Sequence, residues 1–174
     1  MRRAKLDRID RQILRDLQEN GRMTNVELAR RAEISAPPCL RRVRALEKAG
    51  YIRGYHADLN AESLGFGVTI FAQVGLASQA ETDLRAFETL MASWPEVRQC
   101  FMLAGETDFL LRIVAADWDT YQRFLTTRLT AAPNVSHVKS SLAIRACKDE
   151  PGVPIVAQAP ADSDDSKRNG AKRN

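Results

Sequence analysis

The chain has 174 residues and a formal charge of +4, a length that suits one full domain or two small ones. It contains no run of about 18 apolar residues, which excludes an ordinary membrane span. Its three cysteines, Cys39, Cys100 and Cys147, show no C-x-x-C spacing, which speaks against a disulfide framework or a zinc site. The charge is unevenly spread: residues 1–60 carry 14 Lys and Arg against 8 Asp and Glu, residues 61–150 carry 8 against 11, and residues 151–174 carry 4 against 3. A polyanionic partner is therefore expected for the first third alone. The opening M-R-R-A-K-L-D-R-I-D lacks the apolar stretch of a signal peptide, so a reducing cytoplasm is the expected compartment.

Residues 1–60 predict three helices. Leu6, Ile9, Ile13, Leu14 and Leu17 trace one helical face, with Asp7 as N-cap and Asn20-Gly21 as the stop, glycine tolerating the left-handed conformation that helix ends prefer. Thr24-Asn25-Val26-Glu27 is a capping box opening a second helix that runs to Ala32. Glu33-Ile34-Ser35-Ala36 is long enough only for a turn, and Pro37 and Pro38 fit the first turn of a third helix, where a missing N–H does no harm. Leu40, Val43 and Leu46 recur at three-residue spacing and are expected to pack inward.

Helix, short turn, helix is the layout in which the second of the pair lies in the DNA major groove. Ser35, Pro37 and Pro38 are expected to enter first and Arg41 and Arg42 one turn later, with Arg44 and Lys48 touching phosphate or solvent. Tyr51-Ile52 and Tyr55-His56-Ala57 flank Arg53-Gly54 and predict a minimal hairpin, a wing from which Arg53 reaches backbone or minor groove. The plainer reading of Arg41 to Lys48 is a solvated helix face. Capping box, turn, helix placement and wing agree against it.

Residues 61–150 predict a second domain. Val68, Ile70, Ala72, Val74 and Leu76 alternate with Thr69, Phe71, Gln73 and Gly75, as in a half-buried strand. A helix over 81–93 turns Leu84, Phe87, Leu90 and Met91 inward. Strands over 97–104 and 109–115 flank the turn Gly105-Glu106-Thr107-Asp108. Asp117 caps a helix bearing Trp118, Tyr121, Phe124, Leu125 and Leu129, and 135–146 forms a last strand. The order βαββαβ gives an antiparallel sheet with both helices on one face, the ferredoxin-like arrangement, so the chain is of the α+β class. The other face carries Phe71, Cys100 and Met102, too apolar to stay wet, and a homodimer is expected to cover it.

The whole of residues 5–147 resembles the leucine-responsive, or feast-famine, family of bacterial transcription regulators (Lrp/AsnC). The resemblance is carried by N-V-E-L-A-R-R-A-E-I-S-A-P-P-C-L-R-R-V-R-A-L-E-K-A-G-Y-I-R-G-Y and by G-E-T-D-F-L-L, Gly105 to Leu111, which looks like the family's effector-loop signature. It implies a double-stranded DNA partner, a homodimer assembling further to an octamer, and an amino acid or related metabolite bound in clefts between dimers. Gly105 and Asp108 then belong to the effector site, with Glu106 and Thr107 beside them, and Ser140 and Ser141 sit where the family often places small polar residues near the ligand. Asp108 suits an ammonium group and the turn's N–H groups a carboxylate. Without the resemblance, Gly105 and Asp108 make a good β-turn and nothing more.

Gly65-Phe66-Gly67 lacks the third glycine of a dinucleotide fingerprint and leads into a strand. His56 and His137 have no metal-spaced partner, and the cysteines are expected as small apolar fillers. No nucleophile–base pattern or phosphate loop occurs, so neither catalysis nor a cofactor is expected. Residues 151–174 lose periodicity and predict a disordered tail, within which Val153 to Val156 is a candidate for docking on a neighbour. The sequence thus predicts a cytoplasmic, nucleoid-associated regulator sensing an amino acid. A ligand-free DNA-compacting protein and an enzyme with a DNA-binding arm are its rivals.

Overall fold

The computed structural model describes residues 6–155. The chain divides into two compact units: residues up to Ala57 together with the segment from Asp149 onward, and Asp58–Lys148. Each has a hydrophobic core of its own.

In the first unit, α1 (Arg8–Glu19), α2 (Asn25–Arg31) and α3 (Ala36–Lys48) pack around Ile13, Leu28, Ala29, Ala32, Cys39 and Leu46. Helix α1 opens on a reciprocal cap: Asp7 accepts from the Asp10 N–H at 2.8 Å while Asp10 accepts from the Asp7 N–H at 3.3 Å. The Thr24 box forms in the same way with Glu27. Helix α1 stops at Asn20, but through an extended residue (φ −143°) and not through a left-handed Gly21. The left-handed stop belongs instead to α2, where Glu33 has φ 56°. The Ile34 N–H reaches back to the Ala29 carbonyl (3.0 Å) and the Glu33 N–H to that of Arg30 (3.3 Å), closing the helix and turning the chain into α3. Helix α3 ends by the same device at Gly50 (φ 76°), with Tyr51 bonded to Leu46 and Gly50 to Glu47, both at 3.0 Å.

A side chain with a Cβ at Glu33 is strained, and its exposed ion pair with Arg8 (3.5 Å, both side chains more than 70% exposed) offsets little. Glu33→Gly is therefore expected to stabilise this unit by about 0.5–1 kcal/mol, seen as a rise of a few degrees in its melting transition. A fall in that transition would show that Glu33 makes a contact worth more than its backbone strain.

Two expectations for this unit are corrected. No hairpin forms at Arg53-Gly54: residues 52–60 carry no strand, and Gly54 does not take a positive φ. Two-residue hairpin turns need φ > 0 at a central position, which Arg53 disfavours and Gly54 does not supply, and a lone two-stranded ribbon is marginal in water. Leu40 is not inward either. It is 38% exposed, whereas Cys39, one position earlier, is fully buried and takes the core place. The C-terminal segment docks within this unit: the Gln18 side chain grips Val153 through both its N–H (3.0 Å) and C=O (2.8 Å), and Arg15 donates to the Ile155 carbonyl at 3.3 Å. Of the disordered tail expected over 151–174, the part from residue 156 on lies outside the described residues.

The second unit is a four-stranded antiparallel sheet of β1 (Val68–Leu76), β2 (Val97–Met102), β3 (Phe109–Ala115) and β4 (Val135–Leu142), in the order β2-β3-β1-β4. Helix α4 (Glu81–Ser93) follows β1 and α5 (Trp118–Phe124) follows β3, continuing through a π-helical turn over Leu125–Leu129. Both cover the face that carries Ile70, Ala72, Val74, Phe109, Leu111 and Ile113. β2 and β4 end earlier than predicted because their partners do. Met102 pairs with the first residue of β3, and Ala143 makes its last bond to Thr69 at the start of β1. Arg128 stacks over Trp94 (4.6 Å) and pairs with Glu96 (2.8 Å), pinning the end of α4 to that π-helical turn.

The register corrects the expected open face. Cys100 pairs with Leu111 and Met102 with Phe109, so both lie on the helix side; burial there, then the charge of Glu88, pushes the Cys100 thiol up to about 11. Phe71 lies on the open face as expected, but beside Phe101 and Leu110, with Gln73, Arg112, Lys139 and Ser141, and Phe71 and Phe101 are 40% and 50% exposed.

Candidate functional site

Helix α3 supplies a cationic stripe. At 3.6 residues per turn, Pro37, Arg41, Arg44 and Lys48 fall within about 60° of one another. All four are exposed, and Arg41, Arg44 and Lys48 have no ion pair among the described residues. Three positive charges thus face solvent on one side of a helix whose opposite side, Cys39, Val43 and Leu46, is packed in the core.

Arg42 is not part of that stripe. It projects about 100° round the helix from Arg41, where its Nη1 donates to Asp7 Oδ2 and to Asp10 Oδ1, both at 2.7 Å. The α1 capping box uses one oxygen of each carboxylate, and Arg42 takes the other, so all four oxygens are satisfied. For the Asp7 carboxyl, desolvation is the largest influence and pushes upward, but the Asp10 N–H together with the Arg42 bond and charge outweigh it and hold the group below its ordinary value. The Arg42 guanidinium is held above its own ordinary value by the same two carboxylates. Arg42 therefore locks α3 against the start of α1, which replaces the expectation that it faces the groove. The sequence signal was available: two aspartates three residues apart at a helix start leave two carboxylate oxygens for a cation.

The leading end of α3 is unusual. Ser35 is its N-cap, yet its hydroxyl makes no capping bond, because the N–H groups it would accept from, at the second and third helical positions, belong to Pro37 and Pro38 and do not exist. Ser35 and Pro37 are exposed and Pro38 half-buried. Asn25 of α2 donates to the Ala36 carbonyl at 2.8 Å and fixes this first turn. Arg53 is exposed beyond α3 but stands on no wing strand. Burial pushes the Cys39 thiol up against the opposing charge of Arg42, so it is a core filler and not a reactive thiolate.

The loop between β2 and β3 is anchored by Asp108. Its carboxylate accepts from the Leu76 N–H at 2.7 Å and from the Gln79 amide at 2.8 Å, while its own N–H donates to the Val74 carbonyl at 3.1 Å. Gln79 has no sequence signature, and its part in this loop emerges only from the β1–β3 pairing. Gly105 and Glu106 are exposed and Thr107 half-buried. A Cβ placed on Gly105 meets nothing within 4 Å, and its φ is not left-handed, so neither packing nor backbone inside this chain calls for glycine there. Ser140 and Ser141 are not brought together at one site. Ser140 pairs with Ala72 on the helix side, where its hydroxyl bonds the buried Tyr121, whereas Ser141 pairs with Phe71 on the open face.

Comparison with known proteins bears on both units. Residues 6–53 match the family model for a winged helix-turn-helix DNA-binding domain, and residues 69–153 match the Lrp/AsnC ligand binding domain. The chain is 54% identical to the leucine-responsive regulatory protein of Rhizobium meliloti, over 88% of this chain and 98% of that one. It is 42% identical to the Bkd operon transcriptional regulator of Pseudomonas aeruginosa, over 82% and 93%. A transcriptional regulator of Neisseria meningitidis, solved as its L-Met complex, superposes with a TM-score of 0.82 at 40% identity, over 86% and 97%. A winged helix-turn-helix DNA-binding domain followed by a ferredoxin-like Lrp/AsnC ligand binding domain makes this chain a transcriptional regulator, and it belongs to the Lrp/AsnC family.

Proposed function

We propose that α3 lies in the DNA major groove with Pro37, Arg41, Arg44 and Lys48 toward the nucleic acid, Ser35 and Pro38 at its leading end and Arg53 near the backbone. The observation that carries this reading is the stripe of Arg41, Arg44 and Lys48 on one exposed helix face, without an ion pair among the described residues. Two such helices in a homodimer, joined through the open sheet face around Phe71, Phe101 and Leu110, read half-sites roughly 34–36 Å apart. Dimers assemble further, to an octamer, and so hold several operators at once on chromosomal DNA in the bacterial nucleoid. The chain acts by binding and not by catalysis, as its relatives are named regulators.

The effector is a neutral α-amino acid of the size of leucine or methionine, held at Gly105–Asp108. Two relatives support this, one named leucine-responsive and one solved with L-Met. Open space at Gly105 suits a site completed by a ligand or a second chain. Each Asp108 oxygen retains a second lone pair, so an ammonium group adds to the Leu76 bond and displaces the exposed Gln79 amide. That both oxygens already have partners is the one observation favouring a ligand-free architectural protein.

A thermal-shift screen of the twenty amino acids separates the two. At about 100 times its Kd, an effector adds roughly 2.7 kcal/mol to the unit that binds it. Gly105→Leu is expected to melt with the wild type in the absence of ligand and to lose that added stability. Silence of the wild type across the panel would leave the architectural reading standing.

A further inference from the structure

We propose that Leu40, with Pro37 one turn before it, is a specificity-determining residue that reads thymine C5-methyl groups in the operator. The inference rests on α3 being the groove-facing helix and deepens that reading. Leu40 keeps an exposed side chain although the neighbouring Cys39 is fully buried. It stands three residues after Pro37 and four before Arg44, the spacings at which helix side chains are neighbours. It therefore borders the cationic stripe on the half of α3 that leads.

That half is poor in hydrogen-bonding groups. Of the first three helical positions, Ala36, Pro37 and Pro38, only Ala36 has an N–H. The side chains of Pro37 and Leu40 have no polar atom. In helix-turn-helix proteins the N-terminal residues of this helix meet the base edges. Of the groups a base pair shows in the major groove, the thymine methyl is the distinctive apolar one. Placed against an amine or a carbonyl, Leu40 would strip its water and return no hydrogen bond. Placed against a methyl group, it buries apolar surface on both sides. Leu40 thus selects for thymine and against the other bases at the same position. Arg41 and Arg44 beside it hold the register through guanine or phosphate.

The test uses the full-length protein and an operator that it has itself selected from a random DNA pool. Each thymine is replaced singly by uracil, which removes the methyl and leaves pairing intact. For the wild type, one or two thymines per half-site are expected to cost about fourfold in Kd when replaced, the worth of one buried methyl. Leu40→Ala is expected to bind thymine and uracil equally at those positions while melting with the wild type. A wild type indifferent to every uracil, or a Leu40→Ala variant that keeps the thymine preference, would overturn the proposal. Arg41→Ala is run alongside: if it loses affinity, such a failure touches Leu40 alone, and if neither variant changes affinity, the placement of α3 in the groove falls with it.

Discussion

Ile13→Ala is expected to remove DNA binding while amino acid binding survives. Ile13 is fully buried at the centre of the first unit, against residues of α2 and α3. Truncating a buried isoleucine to alanine costs about 2–5 kcal/mol, transfer of the lost methyl groups plus the cavity they leave. A unit of this size has little stability to lose, because small domains bury a smaller share of their surface. The second unit is built on different residues, Ile70, Phe109, Ile113, Tyr121 and Leu129 among them. Scanning calorimetry should therefore show the first unit's transition falling by more than about 10 °C and the second unchanged. Gel shift should lose the operator complex at the growth temperature, and amino acid titration should still report saturation. A single transition that falls as a whole would mean that the two units unfold together.

What was legible in the sequence was whatever local chemistry decides. The Thr24–Glu27 box, the Asp7 cap, the alternation of β1 and the βαββαβ order each depend on residues a few positions apart, and each appears in the fold. The misplacements are of another kind. Leu40 and Cys39 compete for one inward position: Leu40, Val43 and Leu46 follow i, i+3, i+6, whereas the real wall of Cys39, Val43 and Leu46 follows i, i+4, i+7, and both are helical spacings. Only packing against α1 and α2 decides between them. Cys100 and Met102 were given to the wrong face because an irregularity between Val97 and Gln99 interrupts the pairing, and one residue of slip reverses a strand's sides. The expected hairpin at Arg53-Gly54 had turn residues but no third strand to hold it.

The candidate site was legible in outline and not in its assignments. Charge asymmetry and helix placement pointed to α3, which carries the exposed cationic stripe, and the Gly105–Asp108 turn falls between β2 and β3 as expected. Which arginine does what was not local information. It depends on the angular position of each residue on α3 and on carboxylates more than thirty residues away. Ser140 and Ser141, adjacent in sequence, necessarily point to opposite sides of the sheet, so no single pocket takes both side chains from one face.

Arg41→Ala and Arg42→Ala are therefore expected to fail in opposite ways, although the two residues are neighbours of identical chemistry. Arg41 has no ion pair among the described residues, so its removal should leave the melting transition within about 0.5 kcal/mol of the wild type. Operator affinity should fall by about 1–3 kcal/mol if Arg41 pairs with a base, and the loss should then depend on the base at one position. If it pairs with phosphate, the loss should be uniform across sequences and the slope of log K against log salt should flatten by about 0.9. Arg42→Ala instead leaves Asp7 and Asp10 without their shared cation. The expected cost is roughly 1–3 kcal/mol of stability in the first unit, at the lower end where solvent screens the half-exposed Asp7. Operator affinity should follow only as far as folded protein is lost. The pH dependence supplies a second readout. Because the folded Asp7 pKa is depressed, its contribution is present above the unfolded value, about 3.9, and is lost as pH falls through the lower folded value. Wild-type stability should therefore drop below about pH 4 more steeply than that of Arg42→Ala, in which the depression is smaller because only the Asp10 and Ile9 backbone bonds remain to hold it. An Arg42→Ala protein that melts like the wild type but has lost the operator would return Arg42 to the groove.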